Sequence, residues 1–309
     1  MTSTAPDPTP ETDQVIHVTP YATATDAPGE VCFRPEEIRN RVAGLRAPDC
    51  ARYPELNGYT RHELYEDCSG GGGLYLATRM ARTLRLKPGD IVLDLGCGKG
   101  SASIFLARHF GVRVIGVDLW TPATFLDQKF TARGYRDRIV PLHLDVTGEL
   151  PFAEGYFDAV FSMNSFSFYG DNLGFVRRLL RHVKPGGQLC IGAQVLTSEF
   201  TPEQLLNPPL AYSFRLPPPA EHVDVFSDDF MKHHTPGWWR RLFEETGVLS
   251  VECCVELDDA DVLYEEMVRD EYEYHTDPFD VAASLAQIAW KRDHEPRMSL
   301  FVLTAHKLI

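Results

Sequence analysis

GDIVLDLGCGKGSASIFLARHFGVRVIGVDLW, residues 89–120, is the stretch that decides the fold. An apolar run ends at Leu95, a glycine-rich loop follows, and an amphipathic segment then leads into a second apolar run that ends at Asp118. This order predicts one βαβ unit, in which a buried strand passes through the loop into a helix and then into a parallel strand. The glycines allow the backbone to turn sharply close to a ligand, beside the N–H groups at the start of the helix.

The acid at the end of the second strand and the spacing of the glycines together indicate the type of ligand. Asp118 has the position from which a carboxylate accepts hydrogen bonds from both ribose hydroxyls of a nucleoside cofactor. The loop has the spacing GxGxG, through Gly96, Gly98 and Gly100, rather than the GxGxxG of dinucleotide-binding folds. This spacing disfavours a nicotinamide dinucleotide, which stays the alternative cofactor. The alternative role of the glycines is tight strand-to-helix packing, and that of Asp118 is capping of a helix.

The same alternation of buried strands and amphipathic helices continues beyond this unit. Strands are predicted near residues 91–95, 113–118, 139–144, 157–163 and 187–195, with helices between them at about 101–110, 123–134 and 172–183. Two more strands are predicted in VECCVEL, residues 251–257, and in SLFVLTAHK, residues 299–307. The sequence therefore predicts an α/β fold with a doubly wound, mostly parallel, seven-stranded sheet.

The segments outside this pattern predict an arm, a cap and a lid. Residues 1–30 are rich in Thr, Pro, Ala and Asp without any helical or strand period, which predicts a disordered N-terminal arm. Residues 31–90 are predicted to form a helical cap, and residues 91–309 the core. Two insertions in the core, about 197–236 and 258–297, are predicted to form a lid. The first contains TPEQLLNPPLAYSFRLPPPAEH, residues 201–222, whose prolines predict an absence of regular structure.

The amino-acid composition limits the kinds of molecule that the protein is expected to bind. The formal net charge is −14, from 30 Lys and Arg against 44 Asp and Glu, and this charge would repel a phosphate backbone, so nucleic acid is not expected as a substrate. No run of about 18 apolar residues predicts a membrane span, and the N-terminus lacks a basic segment followed by an apolar one, so a cytoplasmic location is expected. The seven cysteines show no CxxC pair, so no metal site is expected. A homodimer is one assembly that the sequence permits.

Residues 74–195 and the last strand resemble the class I, Rossmann-like methyltransferases that use S-adenosylmethionine. Besides the glycine loop, LHLDV at 142–146, FDAVFSMNSFSFYG at 157–170 and HVKPGGQLCIG at 182–192 match that family in order and distance. The resemblance implies that the loop wraps the methionine and ribose parts of S-adenosylmethionine, that Asp118 holds the ribose, and that Asp145 and Val146 bind the adenine. The implied cofactor contacts are Asp94, Gly96, Cys97, Gly98, Gly100, Asp118, Leu119, Asp145, Val146 and Asn164.

The stretch GGGGLYLATRMARTLRLKPGDIVLDLGCGKG, residues 70–100, looks most like the group that includes cyclopropane-fatty-acid synthases and phosphoethanolamine methyltransferases. The lipid enzymes of that group carry a Glu and a His in an EAxEHF-like stretch after the fourth strand. Here residues 164–169 read NSFSFY, with neither. Their bicarbonate-assisted chemistry is therefore not expected. Because no basic amphipathic segment suits a membrane surface, a soluble small-molecule acceptor is expected.

Methyl transfer is an in-line displacement, so catalysis consists mainly of holding the acceptor opposite the sulfonium sulfur. A base is needed only when the acceptor carries a proton. Tyr169 and His234 are the candidate catalytic residues, and an aromatic pocket wall and a surface histidine are their alternative roles. The acceptor should lie at the carboxyl ends of the strands. The candidate acceptor contacts are Phe166, Phe168, Tyr169, His222, His233 and Trp238.

Three further alternatives stay open. The acidic stretch ELDDADVLYEEMVRDEYEYHTD, residues 256–277, suits either a site for a cationic acceptor or a solvated helix face. A fold of this kind can also bind S-adenosylmethionine for sensing, or as a structural ligand in a cyclase or decarboxylase. A nicotinamide-dependent oxidoreductase is the third alternative.

Overall fold

Seven strands form one sheet in the computed structural model of the chain, which describes residues 16–18, 31–65, 70–206, 232–274, 281, 284–285, 288 and 297–308. The strands of this sheet are β3 (Ile91–Leu95), β4 (Arg113–Asp118), β5 (Ile139–His143), β6 (Phe157–Met163), β7 (Val183–Leu196), β8 (Leu249–Glu256) and β9 (Met298–Lys307). Their order across the sheet is β5-β4-β3-β6-β7-β9-β8. Strands β3 to β7 pair in parallel, and β9 runs antiparallel to both of its neighbours.

Eight α-helices with described bounds accompany this sheet, and two further strands precede it in the sequence. The helices are α1 (Pro35–Ala43), α2 (Gly73–Ala81), α3 (Ser101–Phe110), α4 (Ala123–Ala132), α5 (Leu173–Arg181), α6 (Pro202–Leu206), α7 (Pro236–Glu244) and α8 (Ala260–Tyr274). The two early strands, β1 (Ile16–Val18) and β2 (Val31–Phe33), pair antiparallel. Within the described ranges, no helix is long and apolar enough to cross a membrane.

Alternate residues of the central strands bury their side chains on opposite faces of the sheet. Val92 packs into a cluster with α2, α3 and α4, whereas Leu93 packs into a second cluster with α5 and α7. Leu300 and Phe301 divide in the same way between the two clusters. Because successive side chains of a strand point to opposite faces, a strand that is apolar throughout must be covered on both. The prediction of a doubly wound, mostly parallel, seven-stranded sheet is confirmed.

The structure corrects two predictions about irregular segments. Ile16–Val18 forms a strand, so the predicted absence of regular structure in residues 1–30 is wrong at these three residues. Pro202–Leu206 forms a helix inside the proline-rich stretch that was expected to lack one. Thr201 and Gln204 exchange hydrogen bonds between side chain and backbone there, which is a capping box, and proline is tolerated in the first turn of a helix. Residues 207–231 lie outside the described residues.

Candidate functional site

The glycine loop lies at the carboxyl end of β3, between the ends of β4 and β6. Gly96 and Gly98 both have positive φ angles, 73° and 54°, which side chains other than glycine rarely adopt. A Cβ atom on Gly96 would lie 2.2 Å from Oγ of Ser165, so no side chain fits at that position. The thiol of Cys97, between them, is buried, and burial raises its pKa well above the usual range, so Cys97 is not a ready nucleophile.

Asp118 joins the glycine loop to the end of β4. Its Oδ2 accepts a hydrogen bond from the backbone N–H of Gly98 at 2.8 Å. Its Oδ1 accepts from the N–H groups of Trp120 and Thr121, each at 2.8 Å. The carboxylate therefore stabilises the turn at residues 120–121, before α4 begins, and also fixes the glycine loop. Each carboxylate oxygen has two lone pairs, so Oδ1 is fully used by its two bonds, whereas Oδ2 can accept one further hydrogen bond from a ligand.

Two apolar side chains beside Asp118 are exposed. Leu119 is 51% and Trp120 80% exposed, although large apolar side chains are usually buried. The edge of the Trp120 ring faces Phe168, with ring centroids 6.3 Å apart. Nε2 of His143, at the end of β5, donates a hydrogen bond to the carbonyl of Leu119 at 2.6 Å and fixes the backbone there. This apolar face next to a carboxylate has the character that a purine ring and its ribose require.

The next strand end supplies a buried apolar residue beside an exposed acid. Val146 is buried, whereas Asp145 is exposed. Oδ1 of Asp145 accepts hydrogen bonds from the N–H and the Oγ–H of Thr147, at 2.8 and 2.7 Å. These bonds lower the pKa of the Asp145 carboxyl, which is therefore charged at neutral pH and able to accept a hydrogen bond from an amino group.

Asp94 is fully buried beneath the loop. Oδ2 of its carboxyl accepts a hydrogen bond from Oγ of Ser103 in α3 at 2.6 Å, and burial raises the pKa of this carboxyl to about 7. Its Oδ1 is buried without a hydrogen-bond partner among the described residues. Buried carboxyl oxygens normally have a donor, so the site is short of one donor that water or a ligand could supply. This orphaned oxygen fits a polar ligand at the loop.

Three hydroxyl groups converge on the carbonyl oxygen of Leu95, the last residue of β3. Ser162 and Ser165 both donate to it at 2.8 Å, and the Tyr169 hydroxyl lies 3.2 Å from it and 2.9 Å from Oγ of Ser165. Burial raises the pKa of the Tyr169 phenol, which therefore stays protonated at neutral pH. Tyr169 was the first candidate for a base, and this environment favours a supporting role beneath the loop instead.

Some residues of the loop after β6 lie at the candidate site, and others lie in the core. Asn164 has a φ of 55° and donates from Nδ2 to the carbonyl of Gly71 at 3.0 Å. Phe168 is partly buried beside Trp120. Phe166 is fully buried and packs against Trp239 and the neighbouring aromatic rings of α5 and α7. The prediction that Phe166 contacts an acceptor is therefore wrong, because its side chain faces the core between the sheet and the helices.

Two of the three candidate histidines, His233 and His234, lie where β7 ends and α7 begins. The carbonyl of His234 accepts from the N–H of Leu196 at 3.2 Å, and the ring of His234 stacks on Trp238 with centroids 3.7 Å apart. Nδ1 of His234 donates to Glu199 at 3.0 Å. His233 is buried. His222 lies outside the described residues.

Sequence reasoning missed several residues that build this site. They are Ser103, Trp120, His143, Ser162, Ser165 and Glu199. Trp120 could have been found, because it follows Asp118 and Leu119 directly. Ser103 follows its partner Asp94 within the same βαβ unit, but no local pattern marks it. The other four act through contacts between segments that are distant in sequence.

The central part of the chain matches a known family. Residues 93–191 match a family model described as a methyltransferase domain. The 27-O-demethylrifamycin SV methyltransferase of Amycolatopsis mediterranei (strain S699) is 32% identical over 121 residues, which cover 38% of this chain and 43% of that protein. The chain thus spans less than half the length of that curated relative.

Solved structures match more of the chain at lower identity. Haemonchus contortus phosphoethanolamine N-methyltransferase 2, in complex with phosphomonomethylethanolamine and S-adenosylhomocysteine, superposes with a TM-score of 0.61 and 18% identity over 91% of this chain and 62% of that one. The cyclase SpnF superposes with a TM-score of 0.57 and 18% identity over 89% of this chain and 92% of that one. These likenesses show the fold, which is that of the Rossmann-like methyltransferases.

Proposed function

We propose that this chain, whose residues 93–191 form a methyltransferase domain, transfers a methyl group from S-adenosylmethionine to a small-molecule acceptor. One observation carries the proposal. The glycine loop, the carboxylate of Asp118 and the exposed face of Leu119 and Trp120 adjoin one another at the carboxyl ends of β3 and β4. A loop without side chains, an acid and an apolar face are what a nucleoside with a polar tail requires.

Each part of the proposed cofactor site has its own task. The backbone of the glycine loop passes close to the methionine part, and Asp118 accepts a hydrogen bond from the ribose. Leu119, Trp120 and Val146 cover the adenine, and Asp145 accepts from its amino group. When bound, S-adenosylmethionine supplies a methyl group on a positively charged sulfur. The chain then has to hold the acceptor atom in line with that methyl group and exclude water.

The acceptor is proposed to lie beyond the methionine part, at the carboxyl ends of β6 and β7. Phe168, His233, His234 and Trp238 adjoin these ends. The cap and the two insertions are proposed to close over them as a lid. A cytoplasmic location, the absence of a nucleic-acid substrate and a homodimeric assembly are further parts of the proposal, and the acidic composition supports the second of these.

Calorimetric titration with S-adenosylhomocysteine tests the cofactor site. Binding in the micromolar range is expected for the natural chain, and Asp118→Ala should weaken it by about 1.5–3 kcal/mol, because charge-assisted hydrogen bonds are lost. Gly98→Val should abolish binding, because the new side chain is strained at this φ and occupies ligand space. Asp137→Ala, at an exposed acid between α4 and β5, is the matched control. Affinities that stay unchanged in both site variants would refute the assignment of the loop.

A cyclase with the same fold is the second candidate, favoured by the likeness to SpnF over most of both chains. Product analysis separates the two functions. A transferase forms S-adenosylhomocysteine in step with a methylated product, whereas a cyclase leaves S-adenosylmethionine unchanged. Titration with NAD in the same calorimeter tests the nicotinamide alternative, for which the GxGxG spacing predicts no binding.

A further inference from the structure

Glu199 and His234 form a hydrogen-bonded pair beyond the carboxyl end of β7. Nδ1 of His234 lies 3.0 Å from Oε2 of Glu199. The other carboxylate oxygen, Oε1, accepts from the N–H and the Oγ–H of Thr235 at 2.8 and 2.6 Å. Burial tends to raise the pKa of Glu199, but hydrogen bonds from Thr235 and His234 outweigh this effect, so that its pKa is lowered and the carboxylate is charged at neutral pH. Both oxygens of Glu199 therefore act as acceptors.

The imidazole ring of His234 is constrained in two independent ways. Stacking on the Trp238 indole, at 3.7 Å and 9° between the planes, fixes the plane of the ring. The bond to Glu199 fixes its rotation within that plane. Trp239 faces the ring edge-on, with centroids 6.1 Å apart. The side chain still keeps about a fifth of its surface accessible, so a small molecule can reach it.

The hydrogen bond also determines which nitrogen carries the proton. A carboxylate can only accept, so the partner atom Nδ1 must carry a hydrogen. In the neutral imidazole Nε2 is then an acceptor with a lone pair. No hydrogen bond from Nε2 is found within the described ranges. The geometry is that of a histidine base oriented by an acid, in which the second residue holds the required tautomer.

The pair stands on the acceptor side of the proposed site. Gly192 of β7 pairs with Met163 at the end of β6, and β7 continues to Leu196, about 13 Å further at the usual rise per residue. The segment that contains His234 is bonded to Leu196, and Lys232 nearby reaches the carbonyl of Phe168 at 3.5 Å. His234 therefore lies beside the carboxyl end of β7, and the segment that contains it reaches the loop after β6. β7 is two strands, or about 10 Å, from the strand that carries the glycine loop.

We propose that Glu199 is a positioning residue that holds His234 as the Nδ1–H tautomer, so that Nε2 takes the proton of an acceptor hydroxyl group. The inference rests on the proposed methyl transfer and adds the class of acceptor. Amines that bind unprotonated and thioethers attack without prior loss of a proton, so a fixed base is of use mainly for a hydroxyl compound.

The step balances without a further reactant. Nε2 of His234 accepts the proton as the acceptor oxygen forms its bond to the methyl carbon, and the electron pair of the breaking carbon–sulfur bond stays on sulfur. The products are a methyl ether, S-adenosylhomocysteine and an imidazolium whose charge the Glu199 carboxylate stabilises. The imidazolium then loses its proton to water.

Nitrogen NMR of the ring tests the assignment of the tautomer without knowledge of the acceptor. The full chain is labelled with ¹⁵N-histidine, and the His234 signals among the 11 histidines are identified by their loss in His234→Gln. Spectra are recorded at about pH 9, more than two units above the ordinary histidine pKa of about 6.5. The expected result is a protonated Nδ1 and an unprotonated Nε2.

Glu199→Gln separates the positioning role from a structural one. The amide oxygen of Gln can still accept from Thr235, so the start of α7 is kept. The NH₂ group of Gln donates to Nδ1 of His234, which should move the ring proton to Nε2. The nitrogen chemical shifts of Nδ1 and Nε2 should then be exchanged. Glu203→Gln, at an exposed acid in the first turn of α6, should leave the spectrum unchanged.

Two outcomes would overturn the proposal: a proton on Nε2 in the natural chain, or a tautomer that is the same in Glu199→Gln. Titration of the same samples with S-adenosylhomocysteine distinguishes a failure of the proposed function from a failure of this inference. Absence of binding to the natural chain would contradict the proposed function. The Glu199→Gln variant should bind S-adenosylhomocysteine with an affinity within twofold of that of the natural chain.

Discussion

The carbonyl oxygen of Leu95 is the point at which the sheet holds the glycine loop in place. Hydroxyl groups from β6 and the turn after it surround this oxygen, and none of them belongs to the βαβ unit that carries the loop. A loop of glycines has no side chains of its own with which to hold one conformation. Its position is therefore determined by donors that a neighbouring strand supplies.

Tyr169→Phe tests this support. The variant removes one hydroxyl from the cluster, so the loop should become less well ordered, and affinity for S-adenosylhomocysteine should fall by about 0.5–1.5 kcal/mol, the usual worth of a hydrogen bond. Calorimetry measures the affinity. Tyr156→Phe is the control, because Tyr156 directly precedes β6, at the end of the strand opposite to the site. If affinity were unchanged while methyl transfer fell, the hydroxyl of Tyr169 would contact the acceptor, and the supporting role would be excluded.

Asp94 makes the free energy of unfolding depend on pH in an unusual direction. Its carboxyl has a pKa of about 7 in the folded chain, against about 4 when unfolded. Between these values the unfolded chain has released a proton that the folded chain still holds. Raising the pH therefore favours unfolding, by up to about 1.4 kcal/mol per unit, until the folded carboxyl ionises near pH 7.

Asp94→Asn should remove this dependence. The free energy of unfolding of the variant, relative to the natural chain, is expected to rise from about pH 4 to about pH 7 and then to level off. Urea unfolding at several pH values measures the difference, and Asp137→Asn, at an exposed acid, should show no such trend. A difference that is constant with pH would mean that Asp94 is ionised in the folded chain.

Residues could be predicted where one short segment carries both the chemistry and its geometry. Gly96, Gly98 and Asp118 belong to one βαβ unit, so their spacing alone indicated a nucleoside site. Phe166 and Tyr169 could not be assigned in this way. Whether an aromatic ring after β6 faces the core or a ligand depends on α7, which is about 70 residues away in sequence.

At the scale of elements, the strands were predictable because burial on both faces leaves a continuous apolar run. The strands from β3 to β6 begin where the pattern indicated, and they end within one residue of it. α6 was missed because prolines dominate its surroundings, while Thr201 and Gln204 stabilise a single short helix among them. β1 was missed because a strand of three residues has too few positions for a period to be recognised.

At the scale of the whole molecule, ion pairs connect residues 46–79, which belong to the proposed cap, to residues 258–266, which belong to the second proposed insertion. Arg79 of α2 pairs with Asp258 and Asp259, immediately before α8, and the hydroxyl of Tyr53 donates to Asp259 at 2.5 Å. Further along α8, Arg46 pairs with Glu265 and Arg61 with Glu266. The acidic stretch is thus not wholly a solvated face, because four of its acids pair with arginines that precede β3. It holds the cap.

The adjacent acids Asp258 and Asp259 provide a matched test of this connection. Both pair with Arg52 and Arg79, but the side chain of Asp259 is 10% exposed and that of Asp258 is 65% exposed. A pair exposed to water is worth about 0–1 kcal/mol, whereas removal of one partner from a buried pair costs about 3–5 kcal/mol. Because Arg79 keeps a fifth of its side chain in water, we expect the cost at Asp259 to be towards the lower end of that range.

Asp259→Asn should therefore destabilise the chain by about 3 kcal/mol in urea unfolding, and Asp258→Asn by less than about 1 kcal/mol. Hydrogen exchange should quicken in α2 and α8 of the first variant, because these elements lose their shared contact, and it should stay unchanged in β4 and β5. S-adenosylhomocysteine affinity should change little in either variant, since the ion pairs lie outside the cofactor site. Equal destabilisation by both substitutions would show that the buried pair is not what holds the cap, and faster exchange throughout the sheet would mean that the cap does not open independently of the core.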